Sequence, residues 1–296
     1  MNKGLFITYE GKDGSGKSTH SEALYNNLKE SGHKVKLVHF PRYESSIGGL
    51  IGKMLNGEVP MLESFEAFQM LCVADQLDFQ KELRKYIDEG YIVIADRYDL
   101  STIAYYISKK DVPTTIGYNY IRKWQSDLLE PDLTFIFDYN QDLNERRKDM
   151  DKECDAIESD KQITNKIRDV YKELYYILND CKEMSKTTRE VYLVDTNFDF
   201  VHNSVAINNV IKHKMRRDMQ MTNMAQLLKI FNNTNLDIQD IAETYEDMDK
   251  LFLIKRVKNQ LPFNIDFELL KENGFEPKEF LSATKMEVEL IIKKVN

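Results

Sequence analysis

The chain contains 296 residues, of which 42% are hydrophobic, so it can bury a sizeable core and is not expected to be disordered. Its formal net charge of −8 argues against a general nucleic-acid-binding surface. The three cysteines show neither metal-ligand spacing nor a disulfide framework, and no signal peptide or apolar run of membrane-spanning length stands out. We therefore expect a cytoplasmic protein without membrane or nucleic-acid partners.

The first predicted elements are a strand over residues 5–9 and a helix over residues 20–30, joined by a glycine-rich loop. The loop fits the phosphate-binding pattern G-x-x-x-x-G-K-[ST], and its place between strand and helix argues against a chance glycine turn. Backbone N–H groups of such a loop point at a polyphosphate. Lys17 would reach the β- and γ-phosphates, and the Ser18 hydroxyl would ligate Mg²⁺. We predict ATP binding by Gly11, Asp13, Gly14, Ser15, Gly16, Lys17, Ser18 and Thr19.

Strands and helices alternate along the next part of the chain. Further strands are predicted over residues 34–40, 91–95, 133–138 and 191–194. Helices are predicted over residues 63–89, 101–107, 117–129, 142–151, 161–181 and 200–213. This alternation, with strands that are almost continuously apolar, predicts a P-loop NTPase-type α/β fold, a parallel five-stranded sheet flanked by helices. Residues 214–296 contain no convincing strand, and we predict that they form a small α-helical domain of unknown role.

Three further segments accompany the phosphate loop. Phe40-Pro41-Arg42 follows the second strand, and a run from Asp96 to Tyr105 that fits D-R-x-x-x-S-x-x-A-Y follows the third. A charged segment over residues 138–158 follows the fourth strand. The order and spacing of these segments over residues 1–212 resemble the thymidylate kinase family. The resemblance implies a P-loop kinase domain over residues 1–213 and a homodimer.

The resemblance also implies roles for individual residues. Asp13 would contact the sugar 3′-hydroxyl of the acceptor, Arg42 would grip the acceptor phosphate, and Arg97 would neutralise phosphate charge. Ser101 and Tyr105 would face the acceptor nucleotide. Asp96 would hold Mg²⁺ together with Ser18. The predicted catalytic residues are Lys17, Asp96, Arg97, Arg146 and Arg147, of which Arg146 and Arg147 belong to a lid over the phosphates.

Each of these assignments has a purely structural alternative. Arg42 could be a surface arginine, because its position alone does not distinguish the two. Asp96 and Arg97 could form a local ion pair, and Ser101 could cap a helix. The predicted lid could be a charged helix exposed to solvent.

The family pattern breaks in the helix that reads the acceptor base. The family has an L-F-x-A-x-R run where this chain reads Leu71-Cys72-Val73-Ala74-Asp75-Gln76, so both base-reading side chains are replaced. Phe68, Cys72 and Gln76 fall on one helical face and are predicted to bind the substrate base. The Gln76 amide carries both a donor and an acceptor for a pyrimidine edge. The alternative is that Cys72 and Gln76 are core and surface positions and that the base pocket is built elsewhere.

The predicted function is ATP-dependent phosphorylation of a deoxynucleoside monophosphate, with dTMP converted to dTDP. The replaced base-reading residues leave open a kinase for another or modified pyrimidine nucleotide. A kinase for a bare nucleoside is disfavoured by Arg42 and Arg97, which suit a phosphate on the acceptor. A nucleotide-binding regulatory module without catalysis is a third interpretation. We expect a small-molecule nucleotide as partner, with ATP and Mg²⁺ as cofactors.

Overall fold

The computed structural model of the chain describes residues 3–138, 161–180 and 187–215. The strands of this part are β1 (Leu5–Gly11), β2 (Val35–His39), β3 (Ile92–Asp96), β4 (Leu133–Asp138) and β5 (Glu190–Asp195). They form one parallel sheet in the order β2-β3-β1-β4-β5. The predicted fold, a parallel five-stranded sheet flanked by helices, is therefore confirmed.

The described helices differ from the predicted ones in number and in bounds, and the helix predicted over residues 142–151 lies outside the described residues. They are α1 (Lys17–Glu30), α2 (Ser46–Leu55), α3 (Phe65–Asp78), α4 (Gln80–Asp88), α5 (Asp99–Lys110), α6 (Thr114–Trp124), α7 (Lys161–Asp180) and α8 (residues 200–215). The single helix predicted over residues 63–89 is in fact two helices, α3 and α4, which meet at Phe79. Helix α2 is not predicted from the sequence, because its three glycines lower its helix propensity.

One of these glycines shows why α2 lies where it does. A Cβ atom at Gly48 would lie 2.1 Å from the backbone oxygen of Arg42, so only glycine allows this close approach. Ser45 caps the same helix, because its hydroxyl accepts a hydrogen bond from the Gly48 N–H at 2.9 Å. Helix α2 is thereby packed against the loop that carries Arg42.

Buried apolar side chains fix the helices that frame the carboxyl edge of the sheet. One cluster joins α5, α6 and α7 to β4 and β5, and it includes Ile103, Ile121, Ile136, Leu174 and Val191. Another joins α4 to β1 and β3, and it includes Phe6, Leu83 and Val93. A further cluster joins α2 to α3 through Ile51, Met54 and Phe68. Burying each such side chain contributes about 1.5–3 kcal/mol relative to leaving it in water.

The centre of the sheet sets the place of the site. Strand β1 lies between β3 and β4, and the register pairs Tyr9 with Asp96 and Gly11 with Phe137. Strands β2 and β3 therefore lie on one side of β1, and β4 and β5 lie on the other. The change of side leaves a crevice at the carboxyl ends of the central strands. Ligands of open α/β sheets bind in such a crevice.

Residues 3–209 form one compact unit. The predicted domain boundary between residues 213 and 214 stays a prediction, because residues 216–296 lie outside the described part of the chain. None of the helices in the described ranges combines the length and apolar character needed to cross a membrane.

Candidate active site

The loop between β1 and α1 has the backbone geometry of an anion cradle. Gly14 and Gly16 adopt φ angles of 75° and 94°, in the left-handed region that favours glycine. Gly16 is also the N-cap of α1, so the first N–H groups of that helix face the loop. The Ser15 hydroxyl is buried and has no hydrogen-bond partner among the described residues. These features fit a bound polyphosphate, which accepts hydrogen bonds from such donors.

Lys17 lies folded over this loop. Its ammonium group donates a hydrogen bond to the Lys12 carbonyl oxygen at 2.8 Å and lies 3.4 Å from Asp13 Oδ1. Only 4% of its side chain is exposed, whereas Asp13 is 47% exposed. The charge of Lys17 is therefore held at the phosphate loop by a carboxylate that solvent and ligands can reach.

Ser18 and Asp96 form the predicted metal site. The Ser18 hydroxyl donates to Asp96 Oδ2 at 2.5 Å, and His39 Nδ1 lies 3.4 Å from the same oxygen. Asp96 Oδ1 is buried without a hydrogen-bond partner in the described ranges. Burial acts to raise the pKa of Asp96, but hydrogen bonds from His39 and Ser18 and the nearby charge of Lys17 outweigh it and lower the pKa. An ionised carboxylate oxygen beside a hydroxyl is the kind of ligand set that Mg²⁺ prefers, so these residues fit the ion.

Arg97 brings several of the predicted residues together. It has a φ angle of 68°, rare for a side-chain-bearing residue, and this backbone strain is of the kind found at functional sites. Its Nη1 donates to the Gly11 carbonyl oxygen and to Ser101 Oγ, both at 3.1 Å. Its Nη2 donates to Asp13 Oδ1 and, at 3.2 Å, to the Tyr105 hydroxyl. The guanidinium is thus fixed at the mouth of the phosphate loop.

Glu10 is a site residue that the sequence reasoning missed. It is fully buried at the end of β1 and accepts hydrogen bonds from the Leu100 N–H at 3.2 Å and from Ser101 Oγ at 2.6 Å. Burial, helped by the charge of Asp99, raises its pKa to about 7. The sequence feature that could have identified it is an acidic residue near the end of a mostly apolar strand, immediately before the phosphate loop.

Arg42 contacts α3. Its Nε donates to Asp75 Oδ1 at 3.1 Å, its Nη2 donates to Asp78 Oδ2 at 2.7 Å, and its guanidinium stacks on the Phe79 ring at 5.1 Å. It is buried, so the alternative of a surface arginine is wrong. Asp75 is buried as well, whereas Asp78 is exposed.

The three predicted base-reading residues lie on α3 and point into packed surroundings. Phe68 is buried against Phe65, with 6.2 Å between ring centroids, and Cys72 packs on the same cluster. Burial, with a contribution from the Asp75 charge, raises the pKa of the Cys72 thiol to about 12, so it is neutral at physiological pH.

Gln76 is 3% exposed, so it is not a surface position. Its amide NH₂ donates to the Tyr98 carbonyl oxygen at 3.0 Å and to Thr102 Oγ1 at 3.2 Å, while its Oε1 has no partner within the described part of the chain. The amide donors are therefore used within the protein, and only the acceptor remains.

The structure places the predicted residues in two groups. Around the phosphate loop, direct contacts link Lys17, Asp13, Arg97, Ser101 and Tyr105. Ser18 and Asp96 contact each other, and the charges of Lys17 and Arg97 act on Asp96. Thr19 lies exposed on α1. Phe68, Cys72 and Gln76 share α3 with the carboxylates that bind Arg42. Arg146 and Arg147 lie outside the described residues.

A glycine-rich phosphate loop at the centre of a parallel sheet, with a buried lysine and a serine–aspartate pair beside it, defines a P-loop nucleotide-binding protein. Comparison with protein families gives a match to the thymidylate kinase model over residues 9–196. The chain belongs to the thymidylate kinase family. It is a nucleoside monophosphate kinase, an enzyme that transfers a phosphoryl group from ATP.

Individual relatives agree with this assignment. The chain is 32% identical over 176 residues to a thymidylate kinase of Plasmodium falciparum, which covers 59% of this chain and 81% of the relative. It is 34% identical over 180 residues to a thymidylate kinase of Rickettsia canadensis, with coverage of 59% and 84%. Among solved structures, a thymidylate kinase from Candida albicans matches with a TM-score of 0.58 at 24% identity, covering 73% of this chain and 94% of that chain. At this identity the structural match supports the fold alone.

Proposed function

We propose that this protein transfers the γ-phosphoryl group of ATP to dTMP. This proposal rests on one observation: Lys17, from the phosphate loop, and Arg97, from the end of β3, both contact Asp13 Oδ1. The phosphate loop, which would bind ATP, and Arg97, which would bind the acceptor phosphate, therefore meet at Asp13. Relatives named thymidylate kinases support dTMP as the acceptor, and they do not favour another pyrimidine nucleotide or an inactive module.

On the donor side, the loop N–H groups and Lys17 hold the β- and γ-phosphates of ATP. Ser18 and Asp96 would hold Mg²⁺, which would supply positive charge to neutralise the donor phosphates. Lys17 contributes a fixed positive charge in a nearly water-free position, where electrostatic stabilisation is larger than in bulk water.

On the acceptor side, Asp13 binds the sugar hydroxyl, Arg97 binds the phosphate, and Ser101 and Tyr105 line the nucleotide site. Arg42 reaches the acceptor phosphate by exchanging its pair with Asp78, whose exposed side chain is the weaker partner. We assign Phe68, Cys72 and Gln76 to the base side of the site, where their packed side chains would form its wall. The Gln76 Oε1 atom is buried without a hydrogen-bond partner among the described residues. It would suit a base whose N–H group reaches it, as the N3–H edge of thymine could.

The chemistry requires no strong base, because the attacking phosphate oxygen is already anionic. Catalysis therefore consists of alignment and charge stabilisation. Arg146 and Arg147, which lie outside the described residues, are assigned the role of lid arginines that would stabilise charge on the transferring phosphoryl group and exclude water. We further propose that the protein works as a homodimer in the cytoplasm.

A coupled assay of ADP release with ATP and Mg²⁺ tests the function. We expect turnover that depends on dTMP and that is lost in Lys17→Ala, with much slower turnover on dUMP and dCMP. Binding of ATP without acceptor-dependent turnover would instead indicate a regulatory module. Faster turnover on dCMP or on a 5-substituted analogue than on dTMP would show that dTMP is not the preferred acceptor.

A further inference from the structure

The hydroxyl group of Ser101 has three polar neighbours and a single proton. Its Oγ lies 2.6 Å from Glu10 Oε2, 3.1 Å from Arg97 Nη1 and 3.1 Å from the Tyr171 hydroxyl. A guanidinium can only donate, so Ser101 must accept from Arg97. An ionised carboxylate can only accept, so the Ser101 proton points to Glu10. Glu10 therefore sets the direction of the hydrogen bonds that reach Arg97.

Glu10 also holds the start of α5. Tyr98, at the N-cap of this helix, makes no capping hydrogen bond with its side chain. Glu10 supplies the missing acceptor from β1, through its bond with the Leu100 N–H. A negative charge at a helix N-terminus is favourable, so the same carboxylate stabilises both the helix start and Ser101.

We propose that Glu10 is a positioning residue for the acceptor phosphate: by fixing Ser101 as a hydrogen-bond acceptor, it holds the Arg97 guanidinium in place. This inference rests on the proposed function, in which Arg97 binds that phosphate. Glu10 itself is buried beneath Ser101 and acts only through it.

The ionisation of Glu10 gives the proposal a distinctive signature. Asp99, Arg97, Lys17 and Tyr171 are the titratable groups that face it from the neighbouring elements. With its pKa raised to about 7, mainly by burial, Glu10 loses its charge as the pH falls through neutrality. Glutamine imitates the protonated acid, so Glu10→Gln should differ most from the parent at alkaline pH.

The test compares the steady-state kinetics of the parent protein with those of Glu10→Gln. At about pH 8.5 we expect the variant to lose about tenfold in kcat/KM for dTMP, while its KM for ATP stays within about twofold. At about pH 6 the loss should shrink to about twofold, because the parent is then protonated as well. Titration of the dTMP phosphate is common to both proteins and cancels in the ratio.

Two further variants complete the experiment. Ser101→Ala removes the link between Glu10 and Arg97 but keeps the Leu100 contact, so it should show the same selective loss even if Glu10→Gln folds poorly. Thr8→Val is the matched control. It removes a buried hydrogen bond from β1, between Thr8 and Thr134, but keeps the Glu10 contacts with Leu100 and Ser101, and it should leave the KM for dTMP unchanged.

Crystal structures of the parent and Glu10→Gln separate this proposal from the proposed function. Displacement of the Arg97 guanidinium in the variant supports positioning even if the parent does not phosphorylate dTMP. An active parent with a pH-independent ratio, or with equal losses for ATP and dTMP, overturns the positioning role and leaves the function intact.

Discussion

At the scale of single residues, Asp13 is where the donor and acceptor halves of the site meet. One of its carboxylate oxygens binds both Lys17, from the phosphate loop, and Arg97, from the distant segment that follows β3. Two cations this close repel each other unless an anion lies between them. Asp13 therefore keeps both positive charges at the reaction site, and its exposure lets a ligand reach it.

Replacing Arg97 by lysine should impair catalysis although the charge is kept. A lysine ammonium cannot reproduce the forked contacts with Gly11, Ser101, Asp13 and Tyr105. We expect kcat/KM for dTMP to fall by about 10²-fold, measured by the coupled assay. Arg84→Lys is the control, because Arg84 is exposed and its guanidinium donates to a backbone oxygen, that of Asp127, away from the phosphate loop. Equal activities of the two variants would contradict the role of Arg97.

The sequence predicts the residues around the phosphate loop better than it predicts their partners. Asp13, Lys17, Ser18 and Arg97 stand in motifs whose spacing reflects fixed backbone geometry. The pairing of Arg42 with Asp75 spans 33 positions and depends on how α3 packs, which no local pattern encodes. Glu10 is harder still, because a single acidic residue in an apolar strand has many structural explanations.

At the scale of elements, a buried ion pair connects α5 to the residue that immediately precedes β5. Arg189 makes a two-pronged contact with Asp99, in the first turn of α5, and Arg122 from α6 joins it at 3.2 Å. Arg189 and Asp99 are both 1% exposed in their side chains. Burial opposes ionisation of Asp99, but the two arginines outweigh it and lower its pKa. The pair holds the helix that carries Ser101 and Tyr105.

Arg189→Met should lower the free energy of unfolding by about 3–5 kcal/mol, because it leaves Asp99 buried with one partner fewer. Urea denaturation measures this change. The double variant Asp99→Asn/Arg189→Met should cost less than the two single changes together. Lys85→Met, which removes an exposed pair with Glu89, is the control and should cost at most about 1 kcal/mol. If Arg189→Met and Lys85→Met lowered the free energy of unfolding by similar amounts, the buried-pair argument would be contradicted.

Gly48→Ala should disturb α2 and the loop that carries Arg42. The added Cβ would lie 2.1 Å from the Arg42 backbone oxygen, so the helix must move away. We expect a loss of about 1–3 kcal/mol in the free energy of unfolding, as for other overpacked sites. Gly49→Ala is the matched control in the same helix, where the nearest atom is 3.0 Å away. Thermal unfolding of both variants measures the difference, and equal values would show that the close approach does not constrain α2.

At the scale of the whole molecule, Glu10 makes stability depend on pH. Its pKa rises from 4.5 to about 7 on folding, so the folded state binds a proton more tightly than the unfolded chain. Stability contributed at Glu10 therefore decreases as the pH rises from about 4.5 to about 7. The lowered pKa values of Asp96 and Asp99 act below their ordinary value of 3.8, outside this window.

Glu10→Gln should gain stability relative to the parent protein as the pH rises through this window, because glutamine does not ionise. Urea denaturation of both proteins at several pH values measures the difference. Thr8→Val, which removes a neighbouring buried hydrogen bond, should lower stability by a similar amount at every pH. A difference between Glu10→Gln and the parent that is constant with pH would show that Glu10 titrates alike in the folded and unfolded chain.

The fold as a whole follows from the sequence more directly than its details. Apolar strands alternating with helices are enough to predict the parallel sheet, because such strands must be covered on both faces. The break between α3 and α4 at Phe79 carries neither glycine nor proline, so periodicity alone runs across it. Helix α2 escapes prediction for the opposite reason, since its glycines resemble loop residues.

The strand order has a consequence for how this enzyme can change over evolution. Apart from Asp13, the proposed acceptor residues stand on or after β2 and β3, on one flank of β1, whereas β4 and β5 occupy the opposite flank. The stretch from Phe40 to Asp78 contains α2, α3 and the Arg42 anchors but neither the glycine cradle nor Lys17. Evolution can therefore replace this stretch separately from the ATP site. Exchanging it for the corresponding segment of a relative should change the nucleobase preference and leave the affinity for ATP the same.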